Sequence, residues 1–261
     1  MKYGFIGCGN MGGAIARALA KTTKDILLAD VSDNAKNLAA ELCCMHGDNN
    51  EVVTACERIF LAVKPNMLET VLSPLRPMLE KNKPLLISMA AGVEIRKIQQ
   101  MAGTDLPIIR IMPNTPVAVG KGMILYCRNE FVSNEMLDSF LADMQYSGRL
   151  DALEEKMIDA ACAVSGCGPA YMYMLIEAMA DGAVVCGLPR AKAMEYAAAT
   201  MAGAAEMVLK SGMHPGALKD AVCSPGGSTI AGLAVLEQNG FRSAAIECIK
   251  AAYQKTVDLG K

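Results

Sequence analysis

Gly7-Cys8-Gly9-Asn10-Met11-Gly12 is the first run in this chain whose residue types and spacing suit a chemical task. It matches GxGxxG, follows the apolar run Lys2–Ile6 and opens the patterned stretch Asn10–Lys21. That context gives the pattern its meaning, because the loop must turn from a strand into a helix. Gly7 permits the tight turn, Gly9 lets backbone approach a pyrophosphate, and Gly12 lets the helix sit close to the sheet. Cys8, Asn10 and Met11 lie between them, so the N–H groups and dipole of the new helix face the phosphates. Asp30 ends the next apolar run, about 20 residues on, where an acid accepts hydrogen bonds from ribose and disfavours a 2′-phosphate. On that rule the site favours NAD. Two more segments lie at strand ends, where ligands bind in such sheets. They are Ala62-Val63-Lys64-Pro65, with Lys64 toward coenzyme or substrate, and Ala90-Ala91-Gly92, small enough to leave room for a ring.

These residues need strands and helices to place them. Ile26–Ala29, Arg58–Val63, Leu85–Met89, Ile108–Met112 and Met123–Cys127 read as further strands. Arg58–Val63 is almost wholly apolar, as a strand buried on both faces should be. Asn34–Leu42, Met67–Leu79 (weakened by Pro74 and Pro77) and Glu94–Met101 read as helices between them. Strand–helix alternation of this kind predicts a doubly wound, mainly parallel sheet. From about Leu150 no useful strand pattern follows. Ala152–Val164, Pro169–Cys186, Arg190–Lys210, Ile230–Gln238 and Arg242–Leu259 read as helices. We therefore expect a Rossmann-type α/β domain over residues 1–151 and an all-α domain over 152–261, joined by a short connection.

Composition narrows the function. Apolar residues are 52% and charged residues 20% of 261, enough to bury a core and to exclude intrinsic disorder. A net charge of −2 gives no basic field for nucleic acid or an anionic membrane. With no Trp, 7 Tyr and 5 Phe, platforms for base stacking are lacking. The 2 His residues leave little room for a His-ligated metal, so no metal site is expected. The 10 Cys residues have no CxxC spacing, and the opening MKYGFIGCG has no long apolar segment, which reads as reduced thiols in a cytoplasmic protein. The longest uncharged stretch, residues 160–176, is broken by Gly166, Gly168 and Pro169, unlike a membrane span.

FIGCGNMG (5–12), FLAVKP (60–65), SMAAG (88–92), RIMPNTP (110–116), SGCGPAY (165–171), GLPR (187–190) and SPGGSTIAGL (224–233) occur in that order. Together they resemble the pyrroline-5-carboxylate reductase family over essentially the whole chain. The resemblance implies hydride transfer from NADPH or NADH to the C=N bond of 1-pyrroline-5-carboxylate, giving proline. It also implies a helical dimerisation domain that interlocks with a second copy, and in some members a ring of dimers. It sets the coenzyme beside Asn49, in the loop before the strand at Arg58, and beside Asn114 of the RIMPNTP run. It makes Ser224–Thr229 the substrate loop. That segment suits a small carboxylate: Gly226 and Gly227 free the backbone N–H groups, a helix follows at once, and Ser224, Ser228 and Thr229 add hydroxyls. Thr229 is assigned to the imine nitrogen and Ser224 to the carboxylate, as the catalytic pair. None of these segments holds a His, Asp or Glu with a clear claim to general acid. Many members carry small polar residues after the second strand to seat a 2′-phosphate, where this chain has Asp30-Val31. Tyr171 reads as core. Two rivals remain. A β-hydroxyacid dehydrogenase would need a catalytic Lys on a late helix, where Lys192 and Lys210 stand. A non-catalytic nucleotide sensor would use the helices for protein binding.

Overall fold

A computed structural model describes residues 1–259. Its first part alternates strands and helices: β1 (Tyr3–Ile6), α1 (Asn10–Leu19), β2 (Ile26–Ala29), α2 (Asn34–Leu42), β3 (Met45–His46), α3 (Asn49–Ala55) and β4 (Arg58–Leu61). There follow α4 (Leu68–Leu72), α5 (Arg76–Asn82), β5 (Leu85–Ser88), α6 (Ile95–Ala102), β6 (Ile108–Met112), β7 (Gly122–Arg128), α7 (Asn134–Asp143), β8 (Gly148–Ala152) and α8 (Glu155–Ser165). The strands form one sheet in the order β3-β2-β1-β4-β5-β6-β7-β8. Every neighbouring pair is parallel except β6 with β7. The order reverses between β1 and β4, which is the switch point where such sheets bind ligands.

Alternation along each strand builds two cores, one on each face. From β1, Phe5 packs with Ile15, Leu19 and Phe140 on one side, while Ile6 packs with Leu61, Leu68 and Ile98 on the other. Burial on both faces is why these strands read as continuous apolar runs. The run at Met67–Leu79 forms two short helices, α4 and α5. Between them Ser73–Leu75 makes a 3₁₀ turn around Pro74, because proline cannot donate to the helical ladder.

Five elements went unread in the sequence. β3 has two residues, and β8 is a half-exposed edge strand with no apolar run. α3 is short but carries a capping box, in which Asp48 and Glu51 exchange hydrogen bonds with each other's N–H. α7 is capped by Ser133, whose Oγ accepts from Met136 N at 3.1 Å. Helix α11, below, has seven residues.

By its contacts the chain divides at Cys167–Gly168, with residues from Ala252 on joining the first unit. Helix α8 belongs with the sheet, because Ile158 and Cys162 pack on Met112 and Leu125. The second unit is helical: α9 (Gly168–Val185), α10 (Arg190–Ser211), α11 (Pro215–Ala221), α12 (Ser228–Gln238) and the start of α13 (Phe241–Leu259). Its own core is small, centred on Ala180, Ala193 and Ala197. Large apolar side chains stand in solvent instead, among them Met174 at 74% and Val185 at 87% exposure. Burying one such side chain is worth about 1.5–3 kcal/mol, so this unit has apolar surface that calls for a cover. No helix among the described residues is long and apolar enough to cross a membrane.

At the end of the sheet opposite the glycine loop, Asp143 ties α7 to β1 and β4. It accepts from Tyr3 Oη at 2.7 Å, Arg58 Nη1 at 3.0 Å and Lys2 Nζ at 2.7 Å. Burial pushes its carboxyl pKa up, but the bonds from Lys2 and Tyr3 and the charge of Arg58 outweigh this and hold it below the usual range. A depressed pKa stabilises the fold above the unfolded value of about 4 and ceases to do so as the pH falls through the folded value. We expect Asp143→Asn to cost about 2–3 kcal/mol at pH 7 in urea unfolding, since it leaves Arg58 without its counter-charge. The wild-type and variant stabilities should converge below about pH 4. A gap that persists into acid would show that the ion pairs are not its source.

Candidate functional site

The strand ends at the switch point meet in a three-way backbone contact. Gly7 N donates to Ala29 O and Ala62 N to Ile6 O, each at 2.8 Å, so the loop after β1 is held between the ends of β2 and β4. Gly7 has φ +101°, and a methyl there would lie 2.6 Å from the Ala62 carbonyl oxygen. A methyl at Gly12 would collide with the Gly7 carbonyl and lie 2.9 Å from Ala62 Cβ. Both glycines are therefore required by the protein itself. Gly9 differs. Its φ of −68° suits any residue, and a methyl there would meet no atom within 4 Å. The fold gives no reason for glycine at this position, whereas a close ligand does.

Gly9 is also the N-cap of α1, with no side chain capping the helix. The first N–H groups of α1 are thus available to an anion. Beside them a cleft of about 250 Å³ is lined by Cys8, Gly9, Asn10, Asn34 and Asn37, with the Arg17–Glu41 pair at its wall. An open cradle, uncapped N–H groups and the switch point together fit a dinucleotide pyrophosphate. Met11 is half-buried in the first turn of the helix.

Asp30 lies at the lip of this loop, where the sequence placed it, and does more than expected. Its Oδ2 accepts from Cys8 N at 2.6 Å, and its Oδ1 accepts from Ser32 N at 2.9 Å and Ser32 Oγ at 2.7 Å. The carboxylate clasps the glycine loop to the end of β2. Asp33, not Asp30, is the N-cap of α2. Cys8 Sγ is buried, its thiol pushed up to about 12 by burial first and by Asp30 second, so it is no nucleophile at neutral pH. All ten cysteines are free thiols.

The remaining coenzyme candidates fall into three groups. Ala62, Val63 and Pro65 are half-buried at the end of β4, and Lys64 is exposed there with no ion pair among the described residues. Ala90, Ala91 and Gly92 follow β5, with Ala90 buried and Gly92 in the left-handed region at φ +72°. Asn49 is not in a loop: it is the first residue of α3, because the Asp48–Glu51 capping box starts a helix there. Asn114 is buried and committed to backbone, accepting from Met123 N at 2.9 Å and donating to Ser165 O at 2.9 Å. Its neighbour Arg110, fully buried in β6, pairs with Asp159 at 2.6 Å and Glu155 at 3.4 Å. The RIMPNTP run thereby fixes α8 to the sheet, a role that sequence reasoning missed. A charged residue inside an apolar strand was the available signal.

The segment 224–229 belongs to the other unit and is described by itself. Ser224-Pro225-Gly226-Gly227 forms a β-turn closed by Gly227 N to Ser224 O at 3.0 Å, with Pro225 second and Gly226 at φ +70° third. That is the type II pattern. The turn delivers the chain into α12, whose N-cap is Gly227 and which has no side-chain cap. A methyl on Gly227 would collide with Ser224 Oγ, so the Ser224 hydroxyl fills the place of the missing cap side chain. Ser228 and Thr229 are the first two helical residues and are exposed. The result is a helix start with uncapped N–H groups and three hydroxyl residues in its first turn and the preceding β-turn, features that suit a small anion. The rival lysines are occupied: Lys192 pairs with Glu195 and Lys210 with Glu206, both at 2.9 Å. Among the described residues no group of three metal-ligating side chains converges.

Comparison with known proteins agrees over the whole length. Residues 155–259 match the family model "Pyrroline-5-carboxylate reductase dimerisation", and residues 2–92 match "NADP oxidoreductase coenzyme F420-dependent". The pyrroline-5-carboxylate reductase of Escherichia coli is 43% identical, over 100% of this chain and 98% of its own. The chain belongs to the pyrroline-5-carboxylate reductase family. The Synechocystis member is 42% identical over 100% of this chain and 99% of its own. The crystal structure of the Plasmodium falciparum pyrroline carboxylate reductase with NADP bound superposes with TM-score 0.91 at 34% identity, over 100% and 98% of the two chains.

The three-way contact and the open cradle make opposite demands on a new methyl group. We expect Gly9→Ala to keep the melting temperature and weaken coenzyme binding about tenfold or more, by crowding the pyrophosphate. Gly12→Ala should lower both, because α1 must lift from Gly7 and Ala62. Calorimetry on both variants checks this, and normal coenzyme affinity in Gly9→Ala would remove the pyrophosphate from the loop.

Proposed function

We infer that this protein is an NAD(P)H-dependent oxidoreductase that reduces the C=N bond of 1-pyrroline-5-carboxylate to L-proline, the last step of proline biosynthesis. The observation that carries the reading is the pairing of two built anion sites in one chain of this family. One is the uncapped glycine-loop helix start in the α/β half, and the other the uncapped, serine- and threonine-rich start of α12 in the helical half. When bound, the reduced coenzyme supplies the hydride. We assign its contacts to residues 7–12, Asp30, Asn49, 62–65, 90–92 and Asn114. The backbone N–H groups after Gly226 and Gly227, with Ser224 and Ser228, hold the substrate carboxylate, and the Thr229 hydroxyl faces the imine nitrogen. The coenzyme contacts then all fall within residues 1–151 and the substrate contacts within 152–261, although helix α8 packs with the sheet.

An imine is already electrophilic, so the protein has to position the ring and keep water away. The 224–229 segment contains no carboxyl or imidazole. The iminium proton therefore arrives with the substrate or from solvent, and the segment's task is to orient the ring. Neutral donors suit it, because a buried acid there would repel the substrate carboxylate.

The exposed apolar side chains of the helical unit, together with the dimerisation match, support a homodimer built through residues after about 150. Adaptable Met side chains suit such a helical interface. A ring of dimers extends the same reading. The reading also places the enzyme in the cytoplasm, in keeping with reduced thiols, with neither nucleic acid nor membrane as partner.

Thr229→Ala removes one neutral hydroxyl from the imine side. We expect kcat/KM for 1-pyrroline-5-carboxylate to fall about tenfold, the equivalent of about 1.4 kcal/mol, with coenzyme KM almost unmoved. Weakened coenzyme binding with intact imine turnover would mean that the loop holds another ligand. In sedimentation at micromolar concentration the active species should be a dimer or larger. A fully active monomer would contradict the shared-helix reading.

A further inference from the structure

Coenzyme choice in this chain is decided at the lip formed by Asp30, Val31 and Ser32. A 2′-phosphate seated there needs hydrogen-bond donors and a cation free to meet its charge. The donors are already used. Ser32 turns both its backbone N–H and its hydroxyl back onto Asp30 Oδ1, at 2.9 and 2.7 Å. The N–H of Asn34 turns onto Ser32 Oγ at 3.3 Å. The Val31 side chain stands fully exposed and is apolar, and its backbone N–H also turns onto Asp30. Among the described residues lining the adjoining cleft, Arg17 is the one cation. Glu41 holds its guanidinium through two bonds, at 2.7 and 2.6 Å.

What faces outward is a carboxylate. Burial pushes the Asp30 pKa up, but the bonds from Cys8, Ser32 and Val31 prevail and bring it below the ordinary range, so it stays ionised at neutral pH. It cannot swing aside without releasing the Cys8 N–H, held at 2.6 Å, and with it the glycine loop. A carboxylate oxygen already bonded once still accepts from a ribose hydroxyl.

We propose that this enzyme is built for NADH, with Asp30 accepting from the adenosine ribose and rejecting the 2′-phosphate of NADPH. The phosphate is opposed by charge, finds the Ser32 donors turned back onto Asp30, and meets no free cation among the described residues lining the cleft. This rests on the glycine loop being the coenzyme site. Family membership alone does not decide the matter, since the Plasmodium relative holds NADP.

Isothermal titration of the wild-type protein with NADH and with NADPH reads the preference without turnover. The expected result is NADH tighter by about tenfold or more, the cost of one unpaired charged contact. Equal or tighter NADPH binding overturns the proposal. Val31→Arg leaves the Asp30 clasp whole and adds the missing cation, so it should tighten NADPH relative to NADH by about tenfold. Asp30→Asn should also shift the ratio toward NADPH, by removing the charge while keeping an acceptor for Cys8. A ratio unmoved in both variants, with melting temperatures preserved, removes Asp30 and its lip as the discriminator. Failure to bind either nucleotide would overturn the coenzyme-site reading beneath it.

Discussion

The α/β half depends on a contact that contains almost no side chain. Where α1 begins, Gly12 lies against the Gly7 carbonyl and Ala62, and Gly7 lies against the Ala62 carbonyl, closer than a methyl group allows. This approach sets the helix directly over the switch point between β1 and β4. The uncapped N–H groups of α1 therefore open into the crevice at the strand ends rather than onto the face of the sheet. The Asp30 clasp on Cys8 secures the far side of the same loop. Because Asp30 already has structural bonds, the selection proposed for the lip would be coupled to the stability of the loop.

The helical half presents a second uncapped helix start on a different scaffold. There a type II turn, rather than a strand end, delivers the chain into an uncapped helix. Ser224 Oγ stands where a cap side chain would otherwise bond. Neutral donors and a helix start can hold a small carboxylate without a buried cation. The same half has an alanine-centred core and exposed Met, Val and Leu side chains, and it matches a dimerisation model. A small internal core and a wide apolar exterior are two sides of one arrangement, the one a dimerisation domain calls for.

Local signals were readable wherever one physical pattern dominated. Ile26–Ala29 and Asn34–Leu42 were predicted to the residue, and the glycine loop was recognisable from its strand-before, helix-after context. β8 was missed because an edge strand half open to solvent has no apolar run, and β3 because two residues make no period. The Asx run at 48–50 reads equally as a turn, and only the Asp48–Glu51 exchange makes it a helix start, moving Asn49 out of a loop. Spacing placed Asp30 at the lip of the glycine loop, but nothing local reveals its bond to Cys8, which lies 22 residues away. Asn114 and Arg110 show the same limit, since their partners on α8 lie 45 to 51 residues on and exist only once that helix has packed on the sheet.

The most direct test of the division between a coenzyme half and an imine half is turnover by the wild-type protein. Oxidation of NADH or NADPH is followed by absorbance while proline is assayed in the same samples. The expected result is coenzyme oxidation strictly dependent on added 1-pyrroline-5-carboxylate, with proline formed in equal amount. Coenzyme binding without imine-dependent oxidation would contradict it, and would leave the glycine loop as a nucleotide sensor and the 224–229 segment without its substrate.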